Sequence, residues 1–197
     1  MLIVAGDMTA RDKISEWVSY FSWLKNAEYT KKVFIAGNHD NYLEQCLSTV
    51  NCISLGLWEN EGFIYLCDSG IQFEDLKIWG SPWSLTFPGI NPRCSAFTGT
   101  EDNMKRHFDF IPDDIDILIT HCAPYGILDQ LANGRHVGCH ALRKALDRVK
   151  PRLHIFGHIH ECGGKSVDLT VTRFINASHV DERYNPANAP ITFCFEI

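Results

Sequence analysis

Four short polar clusters, each directly after an apolar run, carry the chemistry in this sequence. They are Asp7 after Leu2-Ile3-Val4-Ala5, Asn38-His39-Asp40 after residues 32–36, His121 after 115–120, and His158 with His160 after 153–156. Carboxylate, amide oxygen and imidazole are ligands suited to Mn, Fe, Zn or Ni rather than to calcium. Two histidines at i and i+2 after a strand can reach different ions. Each cluster alone has a plainer reading: Gly6-Asp7 and Gly37-Asn38 as turns, a strand-end histidine as structural. Four clusters of ligand-type residues, all after apolar runs, point instead to one metal site.

The elements that must position them can be read from periodicity. Residues 2–5, 32–36, 115–120 and 153–156 are strands with the continuous apolar character of buried parallel sheet. A helix should join the first two, because Ile14, Trp17, Val18, Phe21 and Leu24 recur at helical spacing, and Thr9 with Asp12 resembles a capping box. Strand, helix, strand implies a right-handed crossover and parallel pairing. Loops beyond the carboxyl ends of such strands converge on one crevice. Residues 63–66, 71–73 and 76–79 look like antiparallel hairpins, and 84–113 like a long irregular loop holding a helix near 102–109. Cys139, Leu142, Leu146 and Val149 mark a helical face that ends before Pro151. Residues 169–175 and the alternating Ile191, Phe193, Phe195 and Ile197 read as half-buried antiparallel strands.

The chain has 197 residues, 45% hydrophobic and 21% charged, which suits one globular domain over 1–197. A net charge of -6 offers no basic face for extended nucleic acid, whereas a small phosphate ester remains compatible if metal supplies the positive charge. The eight cysteines include no Cys-x-x-Cys pair and read as reduced thiols. No signal peptide or membrane span is legible, so a soluble cytoplasmic protein is expected. His136 and His140 could touch substrate or serve as surface or capping residues. His154 is expected to be structural, and His107 and His179 carry no signal.

Gly6-Asp7, Gly37-Asn38-His39-Asp40, Thr120-His121 and Gly157-His158-Ile159-His160 resemble, in order, four of the five motifs of the calcineurin-like metallophosphoesterases. Gly80-Ser81-Pro82-Trp83, His136-Val137-Gly138-Cys139, Asn176-Ala177-Ser178 and Asp181-Glu182-Arg183-Tyr184 are similar to recurrent segments of its small metallophosphoesterase domain-containing subgroup. The resemblance implies an α/β fold, a four-layer β-sandwich of two mixed sheets flanked by helices and lacking the first strand. It implies a phosphoric ester hydrolase with two divalent ions, Mn, Fe, Zn, Ni or Mg. Asp7 would bridge the ions, Asn38, His121 and His158 would complete the second site, and His160 would bind the first. A carboxylate can bridge cations about 3.5 to 4 Å apart, so that they share a hydroxide able to attack phosphorus. His39 would protonate the leaving alkoxide, and Asp40 would either orient His39 or serve a surface or capping role.

A phosphodiester such as a cyclic nucleotide is the expected substrate. Protein phosphatases of the superfamily extend the second motif to Gly-Asp-x-Val-Asp-Arg-Gly, whereas this chain has Gly6-Asp7-Met8-Thr9-Ala10-Arg11-Asp12. The family's first motif, Asp-x-His, does not precede Asp7. A truncated start is the favoured explanation, ahead of a one-metal enzyme or an inactive relative that binds nucleotides or partners. Oligomeric state has no signature in the sequence.

Overall fold

A computed structural model of the chain describes residues 1–48, 62–87, 89 and 92–195. Cys52, Pro88 and Ile197, which enter the expectations above, lie outside the described residues. Three strands, β1 (Leu2–Ala5), β2 (Lys32–Ile35) and β3 (Phe63–Tyr65), pair in parallel as a small sheet in the order β1-β2-β3. A larger, mixed sheet of six strands contains β4 (Ser69–Phe73), β5 (Leu76–Ser81), β8 (Ile117–Thr120), β9 (Leu153–Phe156), β10 (Ser166–Leu169) and β11 (Thr172–Asn176). Its order is β10-β11-β9-β8-β5-β4, parallel from β5 through β11 and antiparallel at both edges. Two short strands, β6 (Ser84–Leu85) and β7 (Thr98–Gly99), form a separate parallel pair.

Side chains alternate across a strand, so each buried strand feeds two layers. Val33 and Ile35 of β2, Ile117 and Ile119 of β8, and Leu153 and Ile155 of β9 share one core between the sheets. Phe34 points the other way, packing with Phe63 and Leu24 of α1 (Ile14–Asn26). Leu118 and Phe156 turn outward to Met104 and Phe108 of α2 (Glu101–Phe108) and to Leu142 and Leu146 of α3 (His140–Val149). The result is the expected sequence of layers, helix, sheet, sheet, helix. Each fully buried Ile or Leu contributes about 1.5–3 kcal/mol of apolar transfer. Among the described residues no helix is long and apolar enough to cross a membrane.

Several local expectations give way. Strand β3 joins β2 in parallel, so only β4 and β5 of the 63–79 stretch form an antiparallel hairpin. Likewise β11 pairs antiparallel with β10 but parallel with β9. Ile191, Phe193 and Phe195 do pack against the intersheet core, yet residues 191–195 form no strand. Thr9 does not cap α1. The Glu16 carboxylate does that work, accepting the N–H groups of Arg11 at 3.0 Å and Lys13 at 2.9 Å. Trp17 and Leu24 of α1 are buried, whereas Ile14 and Val18 are 82% and 65% exposed.

Candidate metal and active site

The carboxyl ends of β1, β2, β8 and β9 deliver the four clusters to one place. Two glycines make the close approach possible. A Cβ on Gly6 (φ +93) would lie 2.5 Å from Nδ1 of His121, and one on Gly37 would lie 2.6 Å from the Asp7 nitrogen and from Cε1 of His121. Asp7 (φ 54) and His158 (φ 70) both occupy the left-handed region, sparsely populated by non-glycine residues. Such strain persists only where the surroundings over-determine it, and it clusters at functional sites.

Asp7, His121 and His158 offer ligand atoms that all lie within 4.8 Å of one another. Nε2 of His121 lies 3.1 Å from Nδ1 of His158, 2.9 Å from Oδ1 of Asn38 and 3.4 Å from Oδ2 of Asp7. The outer contacts fix which atoms face inward. Nδ1 of His121 lies 3.0 Å from the Ala5 carbonyl, which can only accept, so that nitrogen carries a proton and Nε2 is the ring atom turned toward Asp7 and Asn38. Nδ2 of Asn38 donates to the Cys94 carbonyl at 3.1 Å, which turns Oδ1 toward His121. Ligand-type atoms of Asp7, Asn38, His121 and His158 thus converge, with the Ala5 and Cys94 carbonyls behind His121 and Asn38, as in the outer shell of a metal site. This donor set fits a divalent transition-metal ion.

The electrostatics express the same crowding. Burial works against the Asp7 charge, but the His121 ring beside it, aided by His39 and His158, pulls its carboxyl below the usual range. Burial opposes charge on His121 too, and Asp7 overcomes it, raising the imidazole to about 9. His158 is pushed down to about 3 by burial and by His121. The extra proton on His121 takes the place a cation would hold beside Asp7.

His39 and Asp40 lie on the same loop but serve different neighbours. The His39 backbone N–H donates to Oδ1 of Asp7 at 3.1 Å, and its Nδ1 faces the Ala10 carbonyl at 2.9 Å and Sγ of Cys94 at 3.4 Å. A carbonyl therefore orients the His39 ring. The Asp40 carboxylate instead accepts the N–H groups of Gly37 (2.8 Å), Met8 (3.2 Å) and Thr9 (3.1 Å), and the Thr9 hydroxyl at 3.1 Å. It ties the Asp7 loop to the Asn38 loop. Burial and the Asp7 charge push Asp40 up to about 7.

His160 is not among the three converging groups. It opens a 3₁₀ turn, its Nδ1 takes the Asp181 carbonyl at 3.1 Å, and the Tyr184 ring packs on it. Of the remaining histidines, His136 bonds the buried Asp129 at 2.6 Å and His140 stacks on Tyr125. His154 is fully buried, with Nε2 2.8 Å from the Thr120 hydroxyl. Sequence reasoning missed the Cys94 and Ala5 carbonyls, the Thr9–Asp40 contact, and a cluster in which Asp68 accepts from Ser81, Trp83 and His107. The Asp181-to-Tyr184 segment was visible as a motif, but without a role.

The profile of the Calcineurin-like phosphoesterase family matches residues 1–162. The human Metallophosphoesterase domain-containing protein 1 is 36% identical over 213 aligned residues, covering 97% of this chain and 63% of that protein. A UPF0046 protein of Caenorhabditis elegans is 31% identical over 219 residues, covering 98% of this chain and 54% of its own. The chain thus spans less than two thirds of the length of these relatives. Phosphopantetheinyl hydrolase from Mycobacterium tuberculosis superposes over 93% of this chain and 80% of its own with a TM-score of 0.56 at 14% identity, a likeness of fold. Motifs, fold and family profile agree: this chain belongs to the calcineurin-like phosphoesterase family.

Proposed function

We propose that the chain is a metal-dependent phosphoesterase that hydrolyses small phosphate esters, phosphodiesters such as cyclic nucleotides in particular. One observation carries the reading: the converging ligand-type atoms of Asp7, Asn38, His121 and His158, with the His39 loop bonded to Asp7. Those four residues would hold one divalent ion, and Asp7 with His160 would take part in holding a second. Bound divalent ions supply a water of lowered pKa and positive charge for the phosphoryl oxygens.

The chain's own residues supply the rest. Asp7 stays ionised, and Asp40 holds the two loops that carry Asp7 and Asn38 in register. His39, held at Nδ1 by the Ala10 carbonyl, has Nε2 to deliver a proton to the leaving oxygen. The net charge of -6 supports a small ester over extended nucleic acid. The scattered cysteines support a cytoplasmic setting, and we treat 1–197 as one domain.

The test is turnover of bis(p-nitrophenyl) phosphate and p-nitrophenyl phosphate by purified chain, stripped of metal and supplied with Mn²⁺, Co²⁺, Zn²⁺ or Mg²⁺ in turn. Metal-dependent release of nitrophenol, abolished by His121→Ala, is the expected result. Tight metal binding with no turnover of either ester would overturn the reading and leave a binding protein.

A further inference from the structure

We infer that Tyr184 selects the substrate's leaving group by stacking on a planar aromatic ring beside His39 and His160. The inference rests on the phosphoesterase reading above. The Tyr184 ring stands perpendicular to that of His160 at 5.1 Å and lies 6.4 Å from that of His39. It is 52% exposed. His39 is the residue assigned to the leaving oxygen, and the Tyr184 ring borders both it and His160.

The loop that presents this ring is built to do so. The Asp181 carbonyl accepts the Tyr184 N–H at 2.9 Å and faces Nδ1 of His160 at 3.1 Å, so one oxygen ties the tyrosine backbone to the histidine ring. Oδ1 of Asp181 accepts the N–H groups of Arg183 at 2.8 Å and Asn185 at 2.9 Å, and Oδ2 accepts Nδ2 of Asn185 at 3.2 Å. The Asp181 N–H returns to the Asn185 carbonyl at 2.9 Å. These bonds hold Tyr184 at φ 62, a conformation that is a genuine outlier for a bulky residue. A second ring, Phe87, stacks on His158 at 5.6 Å, giving the cluster an aromatic border.

Stacking of a planar group on an aromatic side chain is lost on truncation to alanine by about 5- to 150-fold in affinity. The experiment measures binding of phenyl phosphate and of inorganic phosphate to the Mn²⁺-loaded chain by calorimetry, alongside KM and kcat for an aryl phosphodiester. The wild-type chain should prefer phenyl phosphate. Tyr184→Ala should remove that preference, leave phosphate and Mn²⁺ affinity unchanged, and raise KM more than it lowers kcat. Tyr184→Phe, which keeps the ring, should behave as wild type. Equal weakening of both ligands in Tyr184→Ala, or no preference in the wild type, would overturn the inference. A preference for phenyl phosphate without turnover would sink the hydrolase reading and leave the stacking role standing.

Discussion

The side-chain amide of Asn38 is held by the backbone carbonyl of Cys94 at 3.1 Å, and that bond aims the amide oxygen at His121. Two substitutions that both remove the donor to Cys94 differ in whether an inward oxygen remains. Asn38→Asp keeps an inward oxygen and should retain Mn²⁺ within about tenfold, whereas Asn38→Leu removes that oxygen and should weaken binding by more than about tenfold. Calorimetric titration of the stripped protein with Mn²⁺ checks both, and equal affinities would show that Asn38 does not coordinate.

Asp40 should matter for stability before chemistry. Truncation to alanine leaves the Gly37, Met8 and Thr9 N–H donors without their acceptor, and each buried unsatisfied donor costs about 1–3 kcal/mol. Urea unfolding of Asp40→Ala should show a loss of more than about 2 kcal/mol. Asp40→Asn, which keeps one carbonyl oxygen, should lose less. If Asp40→Ala unfolds with the wild-type midpoint, the two loops are not held together by this carboxylate.

The strands and the four clusters were legible because a buried strand writes its periodicity locally and a metal site uses few residue types. Contacts made through backbone carbonyls were not. Cys94 reaches Asn38 across 56 positions and Ala5 reaches His121 across 116, and neither contact depends on a side chain that a reader of the sequence could pick out. Thr9 resembled a helix cap because a hydroxyl just before an apolar helical face has that role locally. Here a partner 31 residues away, Asp40, takes the hydroxyl instead. The parallel pairing of β3 with β2 was hidden for the same reason, since three residues carry no mark of the strand they join.

The pH dependence of stability should carry a contribution from His154. Burial pushes this imidazole down to about 3 in the folded chain, against an ordinary value of 6.5. Between those limits the unfolded chain binds a proton that the folded chain excludes, so stability is present above about pH 6.5 and lost as pH falls toward 3. His154→Phe replaces the ring with an apolar one between Phe156 and Phe174. Compared with this variant, the wild-type chain should lose about 2 kcal/mol more between pH 7.5 and pH 5. Urea midpoints measured at both pH values decide it, and parallel behaviour would show that His154 is protonated in the fold.

Metal binding should be visible in stability and in stoichiometry. An ion that binds only the folded chain stabilises it by about 2.7 kcal/mol at one hundred times its dissociation constant, so Mn²⁺ should raise the melting temperature and a chelator should reverse the effect. His121 sits among Asp7, Asn38 and His158, whereas His160 stands apart on the Asp181 carbonyl. His121→Ala should therefore abolish the thermal shift. His160→Ala should keep most of that shift while lowering the number of Mn²⁺ ions bound per chain, measured by metal analysis after dialysis. If His160→Ala abolishes the shift as completely as His121→Ala, the two histidines serve one ion, and the assignment of His160 to a second one is wrong.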